Sequence, residues 1–189
     1  MTNNLQRIIM QYFSDLTDTI SKIETSDLIS IKNSILNCYK RNGVIYIFGN
    51  GGSGATASHV AGDYLKTIKG LRIVCLNDNT TVLSAIANDI HYEEIFREQL
   101  KNIVQKQDLV IAISGSGNSK NIVNAIEYAN SRSIETIGFC GFDGGNLKNI
   151  AAKSIHIQIH DMEIAEDLHL SCFHAIKRDI ENDSLTNLH

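Results

Sequence analysis

Residues 50–63 read NGGSGATASHVAGD, with three glycines and two serines ahead of His59 and with Asp63 four positions beyond it. Glycine lets backbone N–H groups approach an anion closely, and a helix N-terminus adds partial positive charge. A His and an Asp four apart on a helix share one face. Such a pair can share a proton or hold one metal ion, because imidazole and carboxylate both suit Zn²⁺. The competing reading is a flexible turn followed by a solvated helix pair. A second stretch of similar composition, SGSGNS (114–119), surrounds Gly115 with the hydroxyls of Ser114, Ser116 and Ser119. The first stretch, GNGGSG (49–54), offers Asn50, Gly51, Gly52 and Ser53. The second has no Lys and so is not GxxxxGK[ST], and the first is not GxGxxG. A single phosphate on a small molecule suits this pair better than a nucleotide does.

Elements must carry these groups to one place. Leu5, Ile8, Ile9, Tyr12, Phe13, Leu16, Ile20 and Ile23 recur at helical spacing. A second helix is expected from Ser26 or Asp27 to about Arg41. GVIYIFG (43–49), RIVCL (72–76), DLVIAIS (108–114), IETIGFCG (134–141) and SIHIQI (154–159) read as five strands, the last at an edge. Helices are expected over 54–69, 80–103 with a break near NDIHY, 119–131 and 163–181. Strands alternating with helices predict βαβ units in a parallel sheet, hence a three-layer α/β/α sandwich. If the strand order is 2-1-3-4-5, the ligand crevice lies at the switch point between the first and third strands. The two glycine-serine stretches follow those two strands. The expectation is one domain over 1–189, with 1–42 a helical extension used for oligomerisation and 43–189 the α/β core.

Bulk properties exclude some partners. The chain has 189 residues, 43% hydrophobic and 20% charged, ordinary for a globular protein. A formal net charge of -4 gives no footprint for nucleic acid. No apolar run is long enough to span a bilayer. The start MTNNLQRIIM lacks a signal peptide's basic and apolar regions. Cys38, Cys75, Cys140 and Cys172 form no CxxC pair, which reads as free thiols in a cytoplasmic protein.

GNGGS after the first strand, ISGSGNS after the third, AIANDIHYEEIF (85–96) and the His-bearing last helix together resemble the sugar isomerase (SIS) fold, and within it the phosphoheptose isomerases. The resemblance covers nearly the whole chain. It implies an aldose–ketose isomerase that converts sedoheptulose 7-phosphate to D-glycero-D-manno-heptose 7-phosphate through an enediol, feeding heptose for surface polysaccharide. It implies phosphate binding by Ser114, Ser116 and Ser119, with Asn50 and Ser53 nearby. It implies a homotetramer with active sites at interfaces, and one zinc per subunit at His59, Asp63, Glu166 and His174. Isomerisation needs a base for the carbon-bound proton and a group to stabilise the oxyanion. The family carries Glu, Gln and Thr where this chain has Asp63, Glu166 and Gly115. Losing one methylene retracts the Asp63 carboxylate by about 1.5 Å, and about 1 Å of misplacement can cost about 100-fold in rate. Either Asp63 or Glu166 is therefore expected to be the base, with His174 the complementary acid.

Several alternatives stay open. Residues 166 and 174 lie roughly 12 Å apart along a straight helix, so either that helix starts later or one site draws them from two subunits. Asn88 and Asp89 bind sugar hydroxyls or cap a helix. His169 is structural or supports the site. His91, His156, His160 and His189 are taken as structural, and Cys172 as packed. A binding-only SIS regulator and an isomerase of a related sugar phosphate are the rival functions.

Overall fold

The computed structural model describes residues 2–187, with side chains described over 5–183. Five strands, β1 (Ile45–Gly49), β2 (Ile73–Cys75), β3 (Leu109–Ser114), β4 (Glu135–Cys140) and β5 (Lys153–His156), form one all-parallel sheet in the order β2-β1-β3-β4-β5. Among the described residues eight helices surround it: α1 (Thr2–Ile20), α2 (Thr25–Lys40), α3 (Gly51–Thr67), α4 (Thr80–Asp89), α5 (Arg97–Ile103), α6 (Lys120–Ser131), α7 (Gly145–Ile150) and α8 (Met162–Asn187). A 3₁₀ turn, Tyr92–Glu94, separates α4 from α5.

Strand alternation divides the core in two. Ile45, Ile47, Leu109, Ile111, Ile113, Ile137 and Phe139 face α2, α3 and α8. Tyr46, Phe48, Val110, Ala112 and Cys140 face α5, α6 and α7. Both faces are covered, which is why these strands read as near-continuous apolar runs. Tyr64 of α3 is fully buried, and its hydroxyl donates to the Phe173 carbonyl of α8 at 2.9 Å. That bond fixes α3 against α8 and so positions much of the site. α1 lies on α8, where the Tyr12 hydroxyl donates to Asp167. Leu5, Ile8, Ile9, Met10 and Phe13 of α1 remain exposed.

The sandwich, the strand order and the switch point between β1 and β3 match the sequence expectation. The boundaries depart from it at four places. α3 begins at Gly51, so the first glycine-rich stretch is the opening turn of a helix, with Asn50 as its N-cap. α2 is capped at Glu24, which leaves Ser26 and Asp27 inside the first turn. β5 ends at His156 because Ile159 N donates back to the Ile157 carbonyl at 2.8 Å. The short α7 was not expected: it follows Gly144 and enters through Gly145, both at positive φ, and buries only Leu147.

Candidate functional site

The serine turn and the first turn of α3 sit side by side at the carboxyl edge of the sheet. Asn50 joins them through a reciprocal amide pair with Asn121 of α6, 2.9 Å in each direction. The Tyr92 hydroxyl also donates to Asn50 Oδ1 at 3.1 Å. Asn50 is thus a clamp between β1, α6 and the 3₁₀ turn. Neither Asn121 nor Tyr92 was assigned this role from sequence, since only the sheet order brings them to Asn50.

The serine turn is itself well ordered. Ser114 Oγ accepts from Gly117 N at 3.2 Å, and Ser116 Oγ accepts from Asn118 N at 3.3 Å. Gly117 has φ +66 and packs directly on the Gly144 carbonyl, where any side chain would collide. Leu147 N donates to the Gly117 carbonyl at 2.9 Å, and Asn146 N to Asn118 Oδ1 at 3.0 Å. The unexpected α7 therefore braces the turn from below. Ser119 is the N-cap of α6 but its side chain makes no capping bond. Its hydroxyl and the α6 N-terminus remain available to an anion.

α3 and α8 run in the same direction and meet twice. At their N-terminal ends Glu166 lies against Gly52, where a Cβ would fall on the carboxylate. Burial pushes the Glu166 carboxyl above its usual value, Glu163 adds to this, and the Ser53 backbone N–H partly opposes it. A carboxylate so placed is a stronger base than a solvated one.

Two turns further along the seam, His59 Nε2 and His174 Nε2 approach to 3.2 Å. Asp63 Oδ2 lies 3.8 Å from His59 Nε2 and 3.7 Å from His174 Nε2. Among the described residues these three form a group whose donor atoms all lie within 4.8 Å of one another. Zinc bonds of about 2.0–2.2 Å in a tetrahedron set donors roughly 3.3–3.5 Å apart, so these residues fit such an ion. Lys177 Nζ stands 4.0 Å from Asp63 Oδ2 and 3.2 Å from Glu181 Oε1.

Glu166 is not in that group. α8 begins at Met162, before Glu166, and so carries Glu166 and His174 on one continuous helix. The sequence alternative of a later start is thereby corrected. Asn88 and Asp89 end α4, exposed and bonded to each other at 2.7 Å, whereas the N-cap of α4 is Asn79. His169 is fully buried against Phe139, and neither ring nitrogen has a partner in ordinary hydrogen-bond geometry, although the Cys140 backbone approaches it. Burial lowers it to about 4, so it is a neutral core residue. Cys172 is packed, its thiol pushed up to about 12 by burial, and all four cysteines are free and buried. Among the described residues no helix is long and apolar enough to cross a membrane.

A family model described as SIS domain matches residues 11–141. A probable phosphoheptose isomerase of Thermoplasma acidophilum is 34% identical over 153 residues, covering 79% of this chain and 84% of its own. A phosphoheptose isomerase of Syntrophotalea carbinolica is 30% identical over 185 residues, 94% of each chain. Among solved structures, a phosphoheptose isomerase of Neisseria gonorrhoeae superposes with a TM-score of 0.87 at 26% identity, over 93% of this chain and 99% of that one.

Proposed function

The chain belongs to the SIS domain family and, within it, to the phosphoheptose isomerases, and from that premise we infer that it converts sedoheptulose 7-phosphate to D-glycero-D-manno-heptose 7-phosphate through an enediol. The observation that carries this reading is Glu166 lying over the α3 N-terminus, beside the serine turn and at the switch point between β1 and β3.

In this reading the hydroxyls of Ser114, Ser116 and Ser119 and the backbone at Gly115 hold the phosphate. Gly51, Gly52 and Ser53 face the sugar, and Asn50 holds that turn in place. Asn88 and Asp89 are exposed partners for sugar hydroxyls. Glu166 takes the proton from carbon, because its raised affinity for a proton suits a general base. His174 exchanges the proton of the adjacent oxygen. Asp63, one methylene short of the family residue, instead joins the two imidazoles.

His59, Asp63 and His174 are the zinc-holding residues of this proposal, with Glu166 a further ligand if a site is shared between copies. Bound there, zinc supplies a positive charge that polarises the carbonyl and stabilises the developing oxyanion. Glu166 and His174 are roughly 12 Å apart along α8, so one site using both draws them from two copies. The exposed apolar face of α1 supports a homotetramer that makes this sharing possible. Four unpaired buried thiols fit a cytoplasmic location.

Incubation with sedoheptulose 7-phosphate in D₂O, with and without added zinc, tests the proposal. Turnover with deuterium entering at the carbon next to the carbonyl is expected. Binding without turnover in either condition would make the chain a sugar-phosphate-binding regulator. The meeting of His59 and His174 favours catalysis, since a pure binder has no need of both.

A further inference from the structure

Gly115 sits in the middle of the serine turn, buried, and its φ is not in the left-handed region. Its backbone would accept a side chain. What excludes one is Met162 of α8: a Cβ at position 115 would fall on the thioether sulfur and lie 3.0 Å from the Met162 methyl carbon. α8 thus supplies from outside the side chain that this turn lacks. Two neighbours on the same helix face dock in the same way. Ala165 packs on Gly141, where a Cβ would stand 2.9 Å from its own, and Glu166 packs on Gly52. Gly141 N in turn donates to the Gly115 carbonyl at 2.8 Å, tying the cradle together.

We propose that Met162 is a specificity-determining residue, an apolar wall between the phosphate turn and Glu166 that selects ketose phosphates by the carbon chain crossing it. The inference rests on the reading above. With phosphate at the serines and the carbonyl end at Glu166, the carbon chain must pass the residue one helical turn before Glu166, about 6 Å along the axis. Met162 is 38% exposed, so its thioether covers the turn on one side and faces open space on the other. A polarisable, unbranched side chain packs well against the C–H face of a sugar and adapts to its contour. The hydroxyls and backbone of the turn bind the phosphate in the same way for any sugar, so discrimination falls to the groups along the carbon chain, this wall among them.

A double-mutant cycle tests it. Gly115→Ala displaces only the flexible end of Met162, so the fold should survive. Met162→Ala and Gly115→Ala are each expected to raise KM for sedoheptulose 7-phosphate about tenfold, the scale of one lost apolar contact. Met162→Ala should leave kcat within a factor of about two. The double variant should be no worse than either single, and Met162→Leu should restore KM. Preference for sedoheptulose 7-phosphate over fructose 6-phosphate should shrink in parallel, while the Kd of Met162→Ala for inorganic phosphate stays unchanged. Additive effects, an unchanged KM in Met162→Ala, or equal weakening of inorganic phosphate would overturn the proposal. A native chain that neither binds nor isomerises sedoheptulose 7-phosphate overturns the assigned activity instead. The wall is then decided by the same cycle on whichever of fructose 6-phosphate and ribulose 5-phosphate binds, and is lost if neither does.

Discussion

The two meeting points of α3 and α8 are built on opposite principles. At the N-terminal end Glu166 lies on bare backbone: Gly52 has no side chain, and the neighbouring contacts use Gly115 and Gly141. At the other end three side chains, His59, Asp63 and His174, converge in a more open setting. The first end achieves close approach by removing atoms, and the second concentrates donors on facing helix turns. A carboxylate held against backbone loses solvent and gains basicity. A cluster of donors keeps room for a cation. One helix pair thus offers two kinds of chemistry, separated by two turns.

Breaking the first end should have the largest effect. Glu166→Gln removes the proposed base and is expected to lower kcat by about 100- to 10,000-fold, read as initial rates on sedoheptulose 7-phosphate. Full turnover with unchanged metal content in that variant would assign the base elsewhere. The pH profile sharpens the point. The base acts deprotonated, so kcat/KM should rise with pH through a value above that of a solvated Glu. The folded state holds this proton more tightly than the unfolded chain, so charged Glu166 costs stability at neutral pH, and Glu166→Gln should melt slightly higher at pH 7 but not at pH 4. Gly52→Ala should push the carboxylate aside and cost about 100-fold in kcat with little change in Tm.

The other end predicts a different signature. His59→Ala or His174→Ala should weaken zinc or cobalt binding by at least about 10- to 100-fold, measured by titration of the metal-stripped chain. Gly52→Ala should cost less affinity than either His variant, because Glu166 is at most one further ligand. A Gly52 variant that lost metal as severely would mean that Glu166 of one copy is an essential ligand in the site of another.

Between the two ends on α8 lies His169, whose effect falls on stability. Its neutral form is stabilised by burial, while the unfolded His titrates near 6.5. The unfolded chain therefore binds the extra proton first as pH falls. Stability is fully present above pH 6.5 and is lost progressively toward about pH 4, on the order of 3 kcal/mol in total. Denaturant unfolding across that window should show the slope, and His169→Leu should flatten it. The smallest expected effect belongs to Tyr64→Phe, which removes the side-chain donor to the Phe173 carbonyl and should cost about 1 kcal/mol. If His59 and His174 then drift apart, zinc affinity falls as well.

Contiguous features were the most legible. The strands β1, β3 and β4 were readable because both sheet faces are covered there, so each is largely apolar, whereas the fifth was read as an edge strand and has only Ile155 buried. The serine turn was readable because its hydroxyls and glycines are adjacent in the chain. The helix α7 was hidden, since Gly144 and Gly145 imitate a loop and a single buried Leu147 gives no periodicity. The start of α3 was misplaced because its glycines carry no side-chain signal of helix. Asn121, Tyr92 and Met162 were silent because each acts on a residue more than 40 positions away.

Sequence alone determined the layer architecture and the candidate donors, because hydrophobic period, glycine placement and residue chemistry are local properties; the strand order was an assumption that the structure bears out. Tertiary structure decided which donors meet: His174 with His59 and Asp63, and Glu166 with Gly52 instead. The physical reason is helix geometry. Once α8 packs parallel to α3, its fixed rise carries residues eight apart to different turns of its neighbour, and no property of either residue alone encodes that register.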